Sequence, residues 1–180
     1  MLKFSEIKQM YEDNIELEVD ARKLAGWIYL SEVEIAKAYG PIGETSFTAK
    51  ADVHYNLPAD HIATAKVRDE DGGICFDYEI DEYGRIKFGG DGNYVMLYHK
   101  LPGMIDYNNE NTSPACHGLF HAAIVQFCIG KYWETKSEGI ASEVKIAGNY
   151  YQEFYRQINE GAVLLKRRAF RPRIIRKVEA

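Results

Sequence analysis

The run from Ala115 to Trp133 is apolar nearly all round, and this constrains the chain more than any other segment. A helix without a polar face must be covered on several sides, so other elements have to surround it. Ser113 is an N-cap candidate just ahead of it, and Pro114 suits a first helical turn. The charge-free stretch, Asn111 to Gly130, contains Ser113, Pro114, His117, His121 and Gln126, and its apolar part is too short to span a bilayer. With 180 residues, the chain can form one domain with a real core.

The covering helices are legible on either side. Ser5 is positioned to cap a first helix. A second follows from Asp20, with Leu24, Ile28, Ile35 and Tyr39 at helical spacing, and Gly40 and Pro41 end it. A last helix over about 142–158 places Val144, Ala147, Tyr151, Phe154 and Ile158 on one stripe. Between Thr45 and His99 the pattern changes to short β-branched and aromatic runs, which predict strands near 45–49, 52–56, 62–68, 74–80, 84–88 and 93–99. The separators "DEDGG", "DEYG" and "GGDGN" supply glycines for tight reversals. In "YVMLYH", Tyr94, Met96 and Tyr98 share one face. The fold class is therefore α+β: helices over 5–39 and 114–158, a small antiparallel β-region over 45–100 inserted between them, and a C-terminal tail over 161–180.

That tail reverses the charge of the chain. Residues 164–178, "LLKRRAFRPRIIRKV", hold seven basic side chains (Lys166, Arg167, Arg168, Arg171, Arg173, Arg176 and Lys177) and no acidic one. Of 22 basic and 27 acidic residues in the chain, 15 and 26 lie before residue 164, so a body near −11 precedes a segment near +7. Phe170, Ile174 and Ile175 interleave with the cations, along with Leu164, Leu165 and Val178. A merely solvated tail gains nothing from so many apolar groups, whereas an acidic, partly apolar protein surface would accept both kinds. A nucleic-acid partner is the alternative, since phosphates attract any such run, but the acidic body would repel a duplex from most other surfaces.

Motifs for chemistry are sparse. His117 and His121 are four apart, the spacing of zinc-protease helices, but the general-base glutamate of that motif is replaced by Gly118, so packing is the preferred reading and a metalloenzyme the alternative. The cysteines Cys75, Cys116 and Cys128 are odd in number and lack C-x-x-C spacing, which suggests neither disulfides nor zinc and points to a reducing interior. "DEDGGICFD" lacks the ligand alternation of a calcium loop. Neither a phosphate-binding nor a dinucleotide motif is present. No basic and then apolar N-terminal region announces a secretory signal. No catalytic residue, metal ligand or cofactor is assigned.

The collinear strings "LAGWIYLSEVEIAKAYGP", "YNLPADHIATAKV", "YVMLYHKLPGMI", "HGLFHAAIVQFCIGKYWE" and "YYQEFYRQI" resemble the head-to-tail adaptor (connector or head-completion) proteins of tailed bacteriophages. The likeness covers roughly residues 20–160 and includes Tyr-x-Leu-Pro-x-Asp (Tyr55, Leu57, Pro58, Asp60) and Tyr-x-x-x-Pro (Tyr98, Pro102). Pro58 should end a strand and Asp60 cap the turn that follows. The resemblance implies a non-enzymatic, usually dodecameric ring in the virion, assembled in the host cytoplasm, with the portal, tail or tail-completion proteins and its own copies as partners and no membrane. Double-stranded DNA would pass through its channel without sequence-specific binding. Asp69, Glu70, Asp71, Asp81 and Glu82 are channel-lining candidates, because like charge lets DNA slide. The C-terminal tail, including Lys166, Arg167, Arg168, Phe170, Arg171, Arg173, Ile174, Ile175, Arg176 and Lys177, would dock on the portal.

Overall fold

The computed structural model describes residues 1–169, with side chains through Leu165. The order is α1 (Phe4–Ile15), α2 (Ala21–Tyr39), β1 (Ile42–Ala49), β2 (His54–Asn56), β3 (His61–Arg68), β4 (Tyr78–Ile80), β5 (Arg85–Phe88), β6 (Gly92–Lys100), a 3-10 turn (Gly118–Phe120), α3 (His121–Lys136) and α4 (Ala141–Ala169). This is the α+β arrangement anticipated above. No helix among the described residues is long and apolar enough to cross a membrane.

The helix that has no polar face, α3, lies at the centre. Ala123, Ile124, Cys128 and Ile129 are fully buried, and α1, α2 and α4 pack around them. On α2, Asp20 Oδ1 accepts from the Lys23 amide at 2.8 Å, as a cap should. Leu24, Ile28 and Ile35 are fully buried along its stripe, and Tyr39 stacks on Phe120 with ring centroids 5.5 Å apart. Cap assignments elsewhere need correcting. Ser5 lies inside α1, which starts at Phe4. There the carboxylate of Glu6 accepts from the Lys3 amide at 2.7 Å, while the amides of Phe4 and Ser5 donate to the carbonyls of Thr112 and Glu110.

Ser113 and Pro114 do not open a helix either. Residues 113–117 run irregularly, and α3 begins at His121. The cause lies on α2, where Glu32 Oε1 accepts from the Cys116 amide at 3.0 Å and holds the segment out of helical geometry. At its other end the chain exceeds expectation, since α4 continues to Ala169 instead of ending near 158. The buried stripe explains this: Ala147, Phe154 and Ile158 are followed at helical spacing by buried Ala162 and by Leu165, which packs on the same core. Val144 does not belong to that stripe and is 52% exposed. Gly161 permits the packing, because a Cβ there would stand 2.8 Å from Phe120 Cε1.

The β-region forms two antiparallel three-stranded sheets, ordered β1-β6-β3 and β2-β5-β4. They share a small core of Phe47, Val67, Ile86, Phe88, Met96 and Tyr98, with Phe88 stacked on Tyr94 at 4.2 Å. Tyr94, Met96 and Tyr98 do face one way, toward that core. Two strands are shorter than expected. Asp52 adopts φ 59°, within a turn closed by Val53 N donating to the Lys50 carbonyl, so β2 starts at His54. The predicted strand 74–80 splits because the chain changes sheets: Ile74 bridges to Arg68 in one, and only from Tyr78 does it pair with β5 in the other.

Candidate functional site

The histidine pair has no metal geometry. His117 has φ −63° and ψ 137°, ahead of the helix, so the two rings do not share a helix face. Its Nδ1 accepts from the Leu119 amide at 3.2 Å and caps the 3-10 turn. His121 is 1% exposed and uses both ring nitrogens. Nδ1 accepts from the Leu2 amide at 2.9 Å, and Nε2 donates to the Cys116 carbonyl at 3.2 Å. That fixes a neutral tautomer, and burial holds the imidazole below its ordinary pKa. Among the described residues no group of three or more His, Cys, Asp or Glu side chains could hold a metal ion. Burial, with Glu32 nearby, pushes the Cys116 thiol up to about 12, and burial alone raises fully enclosed Cys128 further.

The motif residues meet in the β-region. His61 N donates to the Pro58 carbonyl at 2.9 Å, so Pro58 does shape a turn. Asp60 does not cap that turn with its side chain. Its Oδ1 accepts from Tyr98 Oη at 3.0 Å and its backbone carbonyl accepts from Leu101 N at 2.8 Å. Tyr55 Oη accepts from the Lys50 amide at 2.9 Å, and Leu57 packs against the β-region core. Pro102 is buried just after β6 ends. These contacts fix the shape of the region.

The structure separates the acidic turns into two groups. Asp69, Glu70 and Asp71 follow β3, beside the start of β6 through the Arg68–Val95 pairing. Asp81 and Glu82 lie at the opposite end, where Leu57 N donates to the Gly84 carbonyl close to the Asp60–Tyr98 contact. Glu70, Asp71 and Glu82 are exposed. Asp69 Oδ1 is taken by the Gly73 amide at 2.7 Å. Asp81 accepts from the amides of Tyr83 and Arg85 and from the Arg85 side chain. Burial opposes the charge of Asp81, but these donors outweigh it and hold the carboxyl below the usual carboxylate range.

Of the tail, Lys166, Arg167 and Arg168 fall on the last turns of α4, while Phe170, Arg171, Arg173, Ile174, Ile175, Arg176 and Lys177 lie outside the described residues. Sequence reasoning missed two features. Glu32 is 1% exposed on α2, with Oε2 lacking a hydrogen-bond partner among the described residues, and nothing in its spacing distinguishes it from a solvated helix glutamate. The other is an apolar surface on the β-region, where Phe76 is 83% and Tyr83 74% exposed, with Ile74 and Ile80 also exposed. Alternation in the strand expected over 74–80 assigns Ile74, Phe76 and Ile80 to a core, whereas Tyr83 falls in the "DEYG" separator, and the change of sheets at Ile74 to Tyr78 turns Phe76 outward. No protein-family model matches the chain, and comparison with curated proteins finds no match either.

Proposed function

We propose that the chain is the subunit of a head-to-tail adaptor ring in a tailed bacteriophage, docked under the portal, extending the DNA channel and offering the tail its attachment platform. The observation that carries this reading is the course of α4. Its buried stripe anchors the helix in the bundle through Ala162, and the helix then continues to Ala169, so the cationic, apolar run follows in sequence directly on a fixed element. A segment launched in this way suits insertion into a groove of a partner assembly, where desolvated cations and apolar anchors act together. The collinear motif residues support the reading as well, since Asp60 and Tyr98 are joined in space. In the ring, the exposed carboxylates Glu70, Asp71 and Glu82 would face the channel and repel DNA, while Asp69 and Asp81 would keep the turns in shape. Virion location, the portal, the tail proteins and the dodecameric state belong to this proposal.

The test is binding to portal rings of the same phage. Full-length chain should co-sediment with the rings, and a chain lacking residues 170–180, checked by circular dichroism for retained helix, should not. Equal binding by the shortened chain overturns the tail as anchor, and absence of binding by both overturns the adaptor reading.

A further inference from the structure

Two segments of this chain are matched in opposite sense. Residues 69–83 contain seven acidic side chains and no basic one, with Ile74, Phe76, Ile80 and Tyr83 exposed among them. Residues 164–178 contain seven basic side chains and no acidic one, with apolar residues interleaved. We infer that the C-terminal segment of one copy docks on the acidic β4 face of a neighbouring copy. The inference goes beyond the adaptor reading: it concerns copies free of portal and DNA, and docking on a portal would exchange this contact for the portal groove.

The receiving surface has three properties that suit this occupant. Among the described residues β4 lies at the edge of its sheet, with no strand of that set on one side of its backbone, so that side can pair with an added extended segment. Phe76 stands almost free, which is costly for a side chain of that size unless something covers it. Beside it, a hollow of about 300 Å³ is lined by Asp52, Asp77 and Glu79 around Phe76. Among the described residues Lys87 is the one cation of that lining, and it pairs with Glu79 at 3.3 Å and Asp52 at 3.6 Å, so two of the three carboxylates share one ammonium and Asp77 has no ion-pair partner there. A guanidinium is the group such a hollow lacks, and its planar fork suits a second carboxylate contact.

A neighbouring copy is favoured over the same copy by the order of packing. α4 lies on α3, α3 on α2, α2 on the β1-β6-β3 sheet, and that sheet on the one carrying β4. Layers of this kind are roughly 9–10 Å apart, so their sum approaches the roughly 36–40 Å that residues 170–180 span when fully extended. A copy's own segment would have to be drawn out completely, at maximal entropic cost, before any contact forms. A neighbour's segment meets no such limit.

The experiment uses the full-length chain alone, with a photo-cross-linking benzoylphenylalanine replacing Phe170, as an equal mixture of ¹⁴N- and ¹⁵N-labelled protein. The inference requires cross-links to residues 69–83 that join light to heavy copies. These should fall about tenfold in the surface variant Phe76→Ser and in Glu79→Lys, each worth roughly 1.4 kcal/mol of docking, and should weaken as salt shortens the range of charge interactions. Cross-links confined to single copies, cross-links centred elsewhere, or inter-copy cross-links unaffected by both variants overturn it. Loss of portal binding without loss of these cross-links would count against the adaptor reading alone.

Discussion

Tyr98 donates its phenol hydrogen to Asp60 Oδ1 at 3.0 Å, which joins the end of β6 to the turn before β3. Burial and then the neighbouring carboxylate raise the phenol pKa, so it remains a donor throughout the neutral range. Among the described residues, the one other partner of the Asp60 carboxylate is distant, Lys100 at 3.9 Å.

Tyr98→Phe removes the donor and keeps the ring in the β-region core. The loss should be about 1 kcal/mol, read as a lower urea midpoint with an unchanged slope. A variant as stable as the parent would mean that water replaces the phenol without cost.

Glu32 gives a pH signature. Burial raises its pKa above the usual 4.5, against the opposing pull of the Cys116 and Ala115 amides. The folded chain therefore holds this proton more tightly than the unfolded chain, and stability from this group declines as pH climbs from about 4.5 through the raised value. Glu32→Gln cannot titrate, so the stability of the parent relative to it should fall over that window. Glu32→Ala should cost about 1–3 kcal/mol by stranding the Cys116 amide. Parallel pH profiles for parent and Glu32→Gln would rule out a titrating Glu32.

His121 works in the opposite direction. Burial lowers its pKa below 6.5, so its contribution is complete above that value and is lost as pH falls from 6.5 through the folded pKa. His121→Ala should cost about 2–3 kcal/mol, because the Leu2 amide and the Cys116 carbonyl lose their partner. Chelation with EDTA should leave the melting temperature of the parent unchanged; a drop would show a bound metal that the imidazole geometry opposes.

Gly161→Ala sets two effects against each other. Alanine favours a helix interior over glycine by about 1 kcal/mol, but the added methyl would stand 2.8 Å from Phe120 Cε1. Overpacking costs about 1–3 kcal/mol, so the thermal midpoint should fall. A rise would mean that the Phe120 ring gives way easily.

The helical body was legible because its signals are local: the apolar spacing that follows Asp20, the Gly40–Pro41 stop and the apolar run of α3 all act through neighbouring residues. The β-region was legible in kind and less so in bounds, since the switch of sheets at Ile74 to Tyr78 depends on contacts with Arg68 and Phe88 that spacing does not encode. Ser113 satisfied every local criterion for a cap, and a carboxylate 81 residues earlier, at Glu32, overrode it. The motif residues were found in order, yet the partner of Asp60 was not, because Tyr98 lies 38 residues further on, in β6, and reaches Asp60 only through the pairing of β6 with β3. The exposed Phe76 face had no sequence signal separate from that of a buried strand.

A helix of 29 residues is a rod roughly 44 Å long. Phe154, Ile158 and Ala162 engage the bundle along its length, so traction applied at the Ala169 end is shared among them in shear instead of unzipping one contact at a time. Whatever grips the chain beyond that point therefore pulls on the whole hydrophobic body, and a load strong enough to dislodge α4 would have to break its core packing together.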